Sequence, residues 1–425
     1  MKTKIPFLIA VICGVSLTTA IAQNNLIVHE WGTFTDVQGA DGGLLSWRPL
    51  QTSELPAFVR DWRNPGMNRQ FRGYFAVNQP YIGKGNMLTL QRMETPVMYF
   101  YSDHDLTADV TVAFPSGLIT EWYPQATQIG PSVVADTNAP SSATLPSSQA
   151  TWKHLSLLAP SQHPEGFRDR LPPATSGSHY FAARATGADT VRTSDADTEY
   201  EQFIFYRGAG SFFTPLRVSV NDRGQVVIQN AGTERLNRLF LVEMTNGVGS
   251  FTPVETLAAA DKETVAEQEV ARPVCFSTVA EGQQKLAAAM HDALVEAGLF
   301  DDEATAMINT WKDSWFAEDG VRVLFLLPRT WTDETLPLTV EPRPEKTVRV
   351  MVGRAEVIMP GTVNELKEQF TRAMAGDAAA RTKAVAALKK MGRFADPALQ
   401  LVLRSRSEDD NRFYGKLWED IAPPK

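Results

Sequence analysis

Cysteine is nearly absent from this 425-residue chain: there are two, Cys13 and Cys275, so no disulfide framework can carry the fold and a packed apolar core must do so. Long apolar runs are equally scarce. One begins at Ile5 and ends near Leu17, and no other stretch is long and apolar enough to cross a bilayer. Around no serine is there a G-x-S-x-G elbow, and the chain has neither a G-x-G-x-x-G fingerprint nor a Walker A loop. These absences remove the common nucleophile-elbow and nucleotide-binding readings. H-x-H, HExxH and C-x-x-C spacings are missing too, so no metal and no cofactor is expected.

The first apolar run has the layout of a secretory signal. Lys2 and Lys4 precede it, and the small-residue exit Ala20-Ile21-Ala22 follows. Residues 1–22 are therefore read as a signal peptide, cleaved after Ala22, and the mature chain is placed in the periplasm or outside the cell. Ile12 stands before Cys13 where a lipid-attachment site needs a small residue, so lipidation is not expected. Loss of Lys2 and Lys4 leaves 39 basic against 49 acidic side chains, a net charge of about −10. Such an acidic balance argues against nucleic acid and anionic membrane surfaces as partners, and no integral span remains after signal removal.

The fold reads as α+β, a β-sandwich-like framework with an inserted helical hairpin and a helical C-terminal segment. Residues 23–255 form its β-rich part. Strand-forming segments recur there at LIVHEWGTFT, MLTLQRM, VMYFY, DVTVAF, HYFAAR, FIFYR, PLRVSV, GQVVIQN and RLFLVEM. Gly39 to Gly43 would turn the first strand back into LLSW, and Asn221 to Gly224 would make a second hairpin. Long loops are expected within 127–177, where Pro, Ser and Thr dominate or prolines recur. Residues 256–360 hold the hairpin and then return to strands at VRVLFLLP, LPLTV and VRVMVGRAEVIM. Thr278-x-x-Glu281 opens its first helix and Gly298 closes it. Asp301 or Asp302 would cap the second, whose Ala304, Met307, Ile308, Trp311 and Trp315 share one face. Residues 361–425 are helical, with caps expected at Thr362, Asp377 and Asp396.

Chemistry is sought where charge is embedded in apolar sequence. Glu30 falls in the apolar row of Leu26, Val28 and Phe34, where a carboxylate must be paired, hydrogen-bonded or protonated. Glu94 and Glu121 have similar surroundings. Carboxyl groups with raised pKa values serve as general acids and bases in glycoside cleavage, so two of Glu30, Glu94 and Glu121 facing one cleft would make a candidate catalytic set. His29, Trp31 and Trp122 are the candidate ligand-binding residues, imidazole and indole being good partners for sugar rings and proteins. Asp103, His104 and Asp105 offer a histidine with carboxylates, but on a strand the histidine points away from them. Asp103, Asp105 and Asp109 lack the glycine and third ligand of a calcium loop, and Asp195, Asp197, Glu199 and Glu201 alternate along one side of an extended segment, read as solvated charge. Cys275 has no histidine near it in sequence.

The segments HEWGTFT, METPVMYFY, FYRGAGSF, NTWKDSWF and VRVMVGRAEV together resemble those of exported bacterial hypothetical proteins that open with a HEWGTFT segment. The resemblance spans most of the mature chain and implies export and one integrated architecture; it assigns no activity to any residue. The functional expectation is an exported envelope or secreted protein that binds a ligand or partner, such as a glycan or an envelope protein. The alternative is a hydrolase that attacks glycan or another exported polymer through paired carboxylates.

Overall fold

The segment after Asn25 carries β-branched and aromatic residues at most positions, which suits a pleated strand covered on both faces. In the computed structural model it is β1 (Ile27–Gln38), and every residue of it after the first is buried. The structure describes residues 25–49, 55–61, 88–130 and 147–403, apart from positions 176, 195–196, 255, 260–266, 270–273 and 277, together with 412–413 and 416–417. The segment read as a signal peptide and most of the loop expected before residue 150 lie outside the described residues.

The following strands are β2 (Arg60–Asp61), β3 (Gln91–Tyr101), β4 (Leu106–Phe114), β5 (Gly117–Tyr123), β6 (Gln128–Gly130), β7 (Ser148–Leu158), β8 (Thr190–Arg192) and β9 (Tyr200–Glu201). Then come β10 (Ile204–Gly210), β11 (Leu216–Val220), β12 (Val226–Asn230), β13 (Leu239–Thr245), β14 (Val248–Val254), β15 (Glu267–Glu269) and β16 (Val274–Phe276). Two helices, α1 (Val279–Glu296) and α2 (Asp301–Phe316), precede β17 (Gly320–Leu326), α3 (Arg329–Thr335), β18 (Leu338–Glu341) and β19 (Lys346–Val357). The described chain closes on α4 (Pro360–Met374), α5 (Ala378–Met391) and α6 (Ala395–Val402).

Ten strands form the central sheet, in the order β16-β14-β13-β17-β19-β1-β3-β10-β5-β2. β1 runs parallel to β19 along its whole length and antiparallel to β3, so the start of the described chain is locked to a strand more than 300 residues later. A six-stranded sheet built on β18-β4-β7-β8-β9, with β6 against β7, and a three-stranded sheet β11-β12-β15 complete the β framework. Side chains alternate along β1, and the two faces of the central sheet bury different cores. Val28, Phe34, Met98 and Met351 pack with Val110, Trp152, Val218 and Ile228 of the smaller sheets, which makes this face the inside of a sandwich. Trp31, Val97, Phe205 and Val350 pack instead with Leu286, Met290, Met307 and Trp315 of α1 and α2. A third core joins Val37, Trp47 and Ile358 to Leu366, Leu388 and Leu399 of the last helices. The fold is therefore α+β, a sandwich with a helical hairpin on its outer face and a helical C-terminal segment. No helix among the described residues is long and apolar enough to cross a membrane.

Several local expectations are corrected. HYFAAR is a 3-10 turn, His179–Arg184, not a strand: Ser178 caps it by accepting from Tyr180 N, and Arg184 turns back to Glu201. METPVMYFY is continuous with the strand before it, in β3, and Thr95 absorbs the irregularity at φ 49°. LLSW makes only isolated bridges, Leu44 to Gln38 and Trp47 to Thr89. Helix α4 starts at Pro360, whose missing N–H costs nothing at that position, rather than at a Thr362 cap. Strand β18 joins β4 in the smaller sheet, not the strands that flank it in sequence. The hairpin turn at Asn221 is as expected, with Gly224 at φ +78° and Asn221 N donating to Gln225 O.

Close packing between β10 and β5 requires glycine at position 208, because a Cβ there would lie 2.3 Å from the Leu118 carbonyl oxygen, which is backbone and cannot swing aside. Gly208→Ala should cost about 2 kcal/mol, read as a lowered urea midpoint with an unchanged slope.

Candidate functional site

Glu30 lies on the sandwich face of β1 and is fully buried, as its place in the apolar row requires. Its register partner on β19 is Arg349, whose Nε donates to Glu30 Oε2 at 2.5 Å. The Tyr206 hydroxyl of β10 donates to Glu30 Oε1, and Arg349 Nη1 donates to Asp333 of α3 at 2.8 Å. Burial works against the charge on Arg349, but Glu30 and Tyr206 outweigh it and hold the guanidinium above its ordinary range. Burial and the Glu30 charge push the Tyr206 hydroxyl well up, so it remains a proton donor. Glu30 ties β1 to β19 and β10 through its two oxygens.

Glu94 and Glu121 face the other way, onto the helical side of the sheet. For Glu94 this follows from an irregularity: the β1–β3 register slips between Trp31 and Thr33, opposite the positive-φ Thr95. Arg393 Nη1, from the turn after α5, donates to Glu94 at 2.6 Å. Arg207 of β10 grips Glu121 with both Nε and Nη2, at 3.0 and 2.9 Å. A ladder continues along β17 and β19, where Glu356 accepts from Arg322 and Arg354 at 3.1 and 2.7 Å and Glu318 accepts from Arg354 at 2.7 Å. Burial alone would raise the Glu94 pKa, but Arg393, Arg92, Thr35 and Arg354 outweigh it and hold that carboxyl near 2. The three carboxylates do not meet in one cleft: Glu30 is across the sheet from the other two, and each is matched by an arginine. A general acid must keep its proton near the working pH, which Glu94 does not. Trp31 and Trp122 are buried in opposite cores and offer no ligand-facing surface.

His29 has a different environment. It points from β1 toward the start of α2, and it is fully buried. Its Nδ1 lies 2.7 Å from Glu303 Oε2, the same oxygen that accepts from Phe300 N at 2.7 Å. The Tyr101 hydroxyl donates to Glu303 Oε1 at 2.8 Å. Glu303 is therefore approached from three directions, and its contact with Nδ1 fixes the plane of the His29 ring. The other ring nitrogen, Nε2, is buried and has no hydrogen-bond partner among the described residues. The Phe300 ring covers the imidazole at 4.4 Å and meets Tyr101 edge-on at 4.9 Å, while 40 % of Phe300 is exposed to solvent.

Neither Glu303 nor Phe300 stood out in the sequence, because the expected caps were Asp301 and Asp302. The actual N-cap is Phe300, and Glu303 at the third helical position closes the cap from the far side. The one sequence signal available was the F-x-x-E spacing, with an unusual residue at the cap. Arg349 and Arg393 carried no signal beyond being basic.

The remaining candidates stay apart. His104 pairs with Asp103 on an exposed turn, and His163 with Asp105 at 2.8 Å. Glu199 is held by Arg60 and Glu201 by Arg184, at 2.7 and 2.6 Å. Asp195 lies outside the described residues. Cys275 is exposed and unbonded to any other cysteine. Among the described residues no group of three or more His, Cys, Asp or Glu side chains is placed to hold a metal ion. No protein-family model and no curated protein matches the chain.

Glu94 makes the acid limb of the stability curve testable. Its folded pKa, about 2, is below its ordinary 4.5, so its contribution is complete above pH 4.5 and is lost as the pH falls toward 2. Between those values the natural protein should lose about 3 kcal/mol more stability than Glu94→Gln does, measured by urea unfolding at a series of pH values.

Proposed function

We propose that this chain is an exported protein, periplasmic or extracellular, that binds a ligand at the end of its central sheet where His29, Tyr101 and Phe300 meet Glu303. The observation that carries this reading is His29 Nε2, a buried ring nitrogen with no hydrogen-bond partner among the described residues, on a ring whose other nitrogen is held by Glu303. Buried polar atoms are nearly always hydrogen-bonded, and an exception calls for a reason. A ligand polar group completing that bond supplies one. The site is pre-organised, since the ring plane is set before anything binds, and this lowers the cost of association. Phe300, half-exposed at the corner between α1 and α2, is the movable cover.

Export is supported by the charged, apolar and small-residue order of the first 22 residues and by the resemblance to exported proteins that open with HEWGTFT. The arginine matching of Glu30, Glu94 and Glu121 favours binding over a hydrolase that uses those three carboxyl groups. A thermal-shift screen of the mature protein with a fragment library tests the reading. Compounds that raise Tm in the natural protein should lose their effect in His29→Gln, with the variant still folding cooperatively. Stabilising compounds that ignore the substitution would contradict it.

A further inference from the structure

The chain leaves the six-stranded sheet at the end of β7 and returns to it at β8, and the excursion between them, residues 159–189, contains the 3-10 turn His179–Arg184. Both ends of the excursion are fastened to one place, the end of β3 and the turn that follows it. At the near end Ala159 N donates to Asp105 Oδ1 at 3.0 Å, Ser161 Oγ donates to Asp103 O at 3.0 Å, and His163 Nε2 lies 2.8 Å from Asp105 Oδ2. At the far end Asp189 N donates to Phe100 O at 2.8 Å. The Asp189 carboxyl meets Ser102 twice, Oδ1 at 3.3 Å from the backbone N and Oδ2 at 2.6 Å from Oγ.

The far end holds a conflict. Ser102 Oγ also lies 2.8 Å from the His104 carbonyl oxygen. A serine hydroxyl has one hydrogen, whereas a carbonyl and an ionised carboxylate can only accept. With Asp189 ionised, one of these two contacts therefore has no hydrogen in it, beside a residue that is only 1 % exposed. A proton on Asp189 Oδ2 removes the conflict. Asp189 then donates to Ser102 Oγ, Ser102 donates to His104 O, and Ser102 N still donates to Asp189 Oδ1.

We propose that Asp189 is a proton-operated latch: in mild acid its carboxyl takes a proton from solvent, the relay through Ser102 closes, and residues 159–189 are held more firmly to the β3–β4 turn. Burial is the larger force on this carboxyl and pushes its pKa up to about 6, with Ser102 opposing and Asp105 adding to the rise. Because the folded value is above the ordinary 3.8, the latch contributes fully below 3.8 and its contribution is lost as the pH rises through 6. The near end works in the same direction. Burial works against the charge on Asp105, but His163 and Ala159 N, with Arg192 of β8, outweigh it and hold that carboxyl below its ordinary range. An imidazole beside a carboxylate becomes an ion pair only when it gains its second proton, as the pH falls. His104, the remaining titratable group of the turn, is engaged with Asp103. The latched segment is the one that ties β3 to α2: Tyr99 donates to Ala183 O at 2.7 Å, the His179 ring lies 5.2 Å from Trp311, and Gly187 N donates to Asp302 at 2.8 Å. The inference stands apart from the reading of His29 as a binding residue.

The test is hydrogen–deuterium exchange of the mature full chain, read by mass spectrometry at pH 7.5 and pH 5.0 with labelling times scaled to the intrinsic exchange rate at each pH. Both values lie above the range in which Glu94 loses its contribution. Peptides from 159–189 should be about tenfold better protected at pH 5.0, with β1 peptides as the internal reference. Asp189→Asn places a permanent N–H donor where the added proton would sit, and it separates this carboxyl from Asp36, the other buried aspartate raised to about 6. Its protection at pH 7.5 should match that of the natural protein at pH 5.0 and change by less than about threefold with pH, the remainder belonging to His163. Ser102→Ala, which removes the relay atom, should lower protection at pH 5.0 severalfold. Equal protection of the natural protein at the two pH values would overturn the proposal. So would a pH response undiminished in Asp189→Asn, or weaker protection of that variant at pH 7.5, the result expected if the carboxylate were only a structural acceptor.

Discussion

An ionised carboxylate cannot lie between two β-sheets without a partner, and the Glu30–Arg349 pair meets that constraint at the point where the chain closes on itself. β1 and β19 are register neighbours from opposite ends of the described chain, and their parallel pairing sets the order of the central sheet. Arg349 has to project into the sandwich to reach Glu30, and once there it also anchors α3 through Asp333. A slip of one residue in this pairing would put both charges on wrong faces and separate them. The ion pair thus specifies register as much as it adds stability. On the other face the Arg322, Arg354 and Arg393 ladder repeats the device, joining α2 to β17 and β19 and the turn before α6 to β3.

Much of the architecture was legible from periodicity. The apolar rows of β1, β17 and β19, the Asn221 turn and the stripe of α2 from Ala304 to Trp315 each follow from short-range pattern, and each is found. What failed did so where long-range pairing outweighs local preference. HYFAAR has strand composition, yet the buried Glu201 draws Arg184 into a 3-10 turn. The burial of Glu30 followed from alternation alone, but its partner is 319 positions away, and nothing local marks Arg349 among the other arginines. The same distance hid Glu303 from His29, 274 positions apart. Glu94 and Glu121 share the composition of Glu30 but not its face: the irregularity at Thr95 reverses the alternation of β3, and the β10–β5 register shifts beside Arg207, the partner of Glu121.

Charge matching runs through most of the buried interior. Arginine sits against the carboxylates within the sheets, and the lone exception on the sheet's helical side is the carboxylate that orients His29. That carboxylate also closes the cap of α2, so the element that completes the helical layer is the one that sets the imidazole. The helix cap and the imidazole contact thus meet at Glu303. At Glu30 both oxygens are taken up by the contacts that tie strands together.

The register-setting role of the buried pair is tested most directly by a double-mutant cycle of Glu30→Leu and Arg349→Leu, followed by urea unfolding. Each single change leaves a charge stranded between the sheets and should cost about 3 to 5 kcal/mol. The double change should cost far less than the two together, with a coupling of about 2 kcal/mol or more. Additive costs, within about 0.5 kcal/mol, would show that the two side chains act independently and would contradict the account.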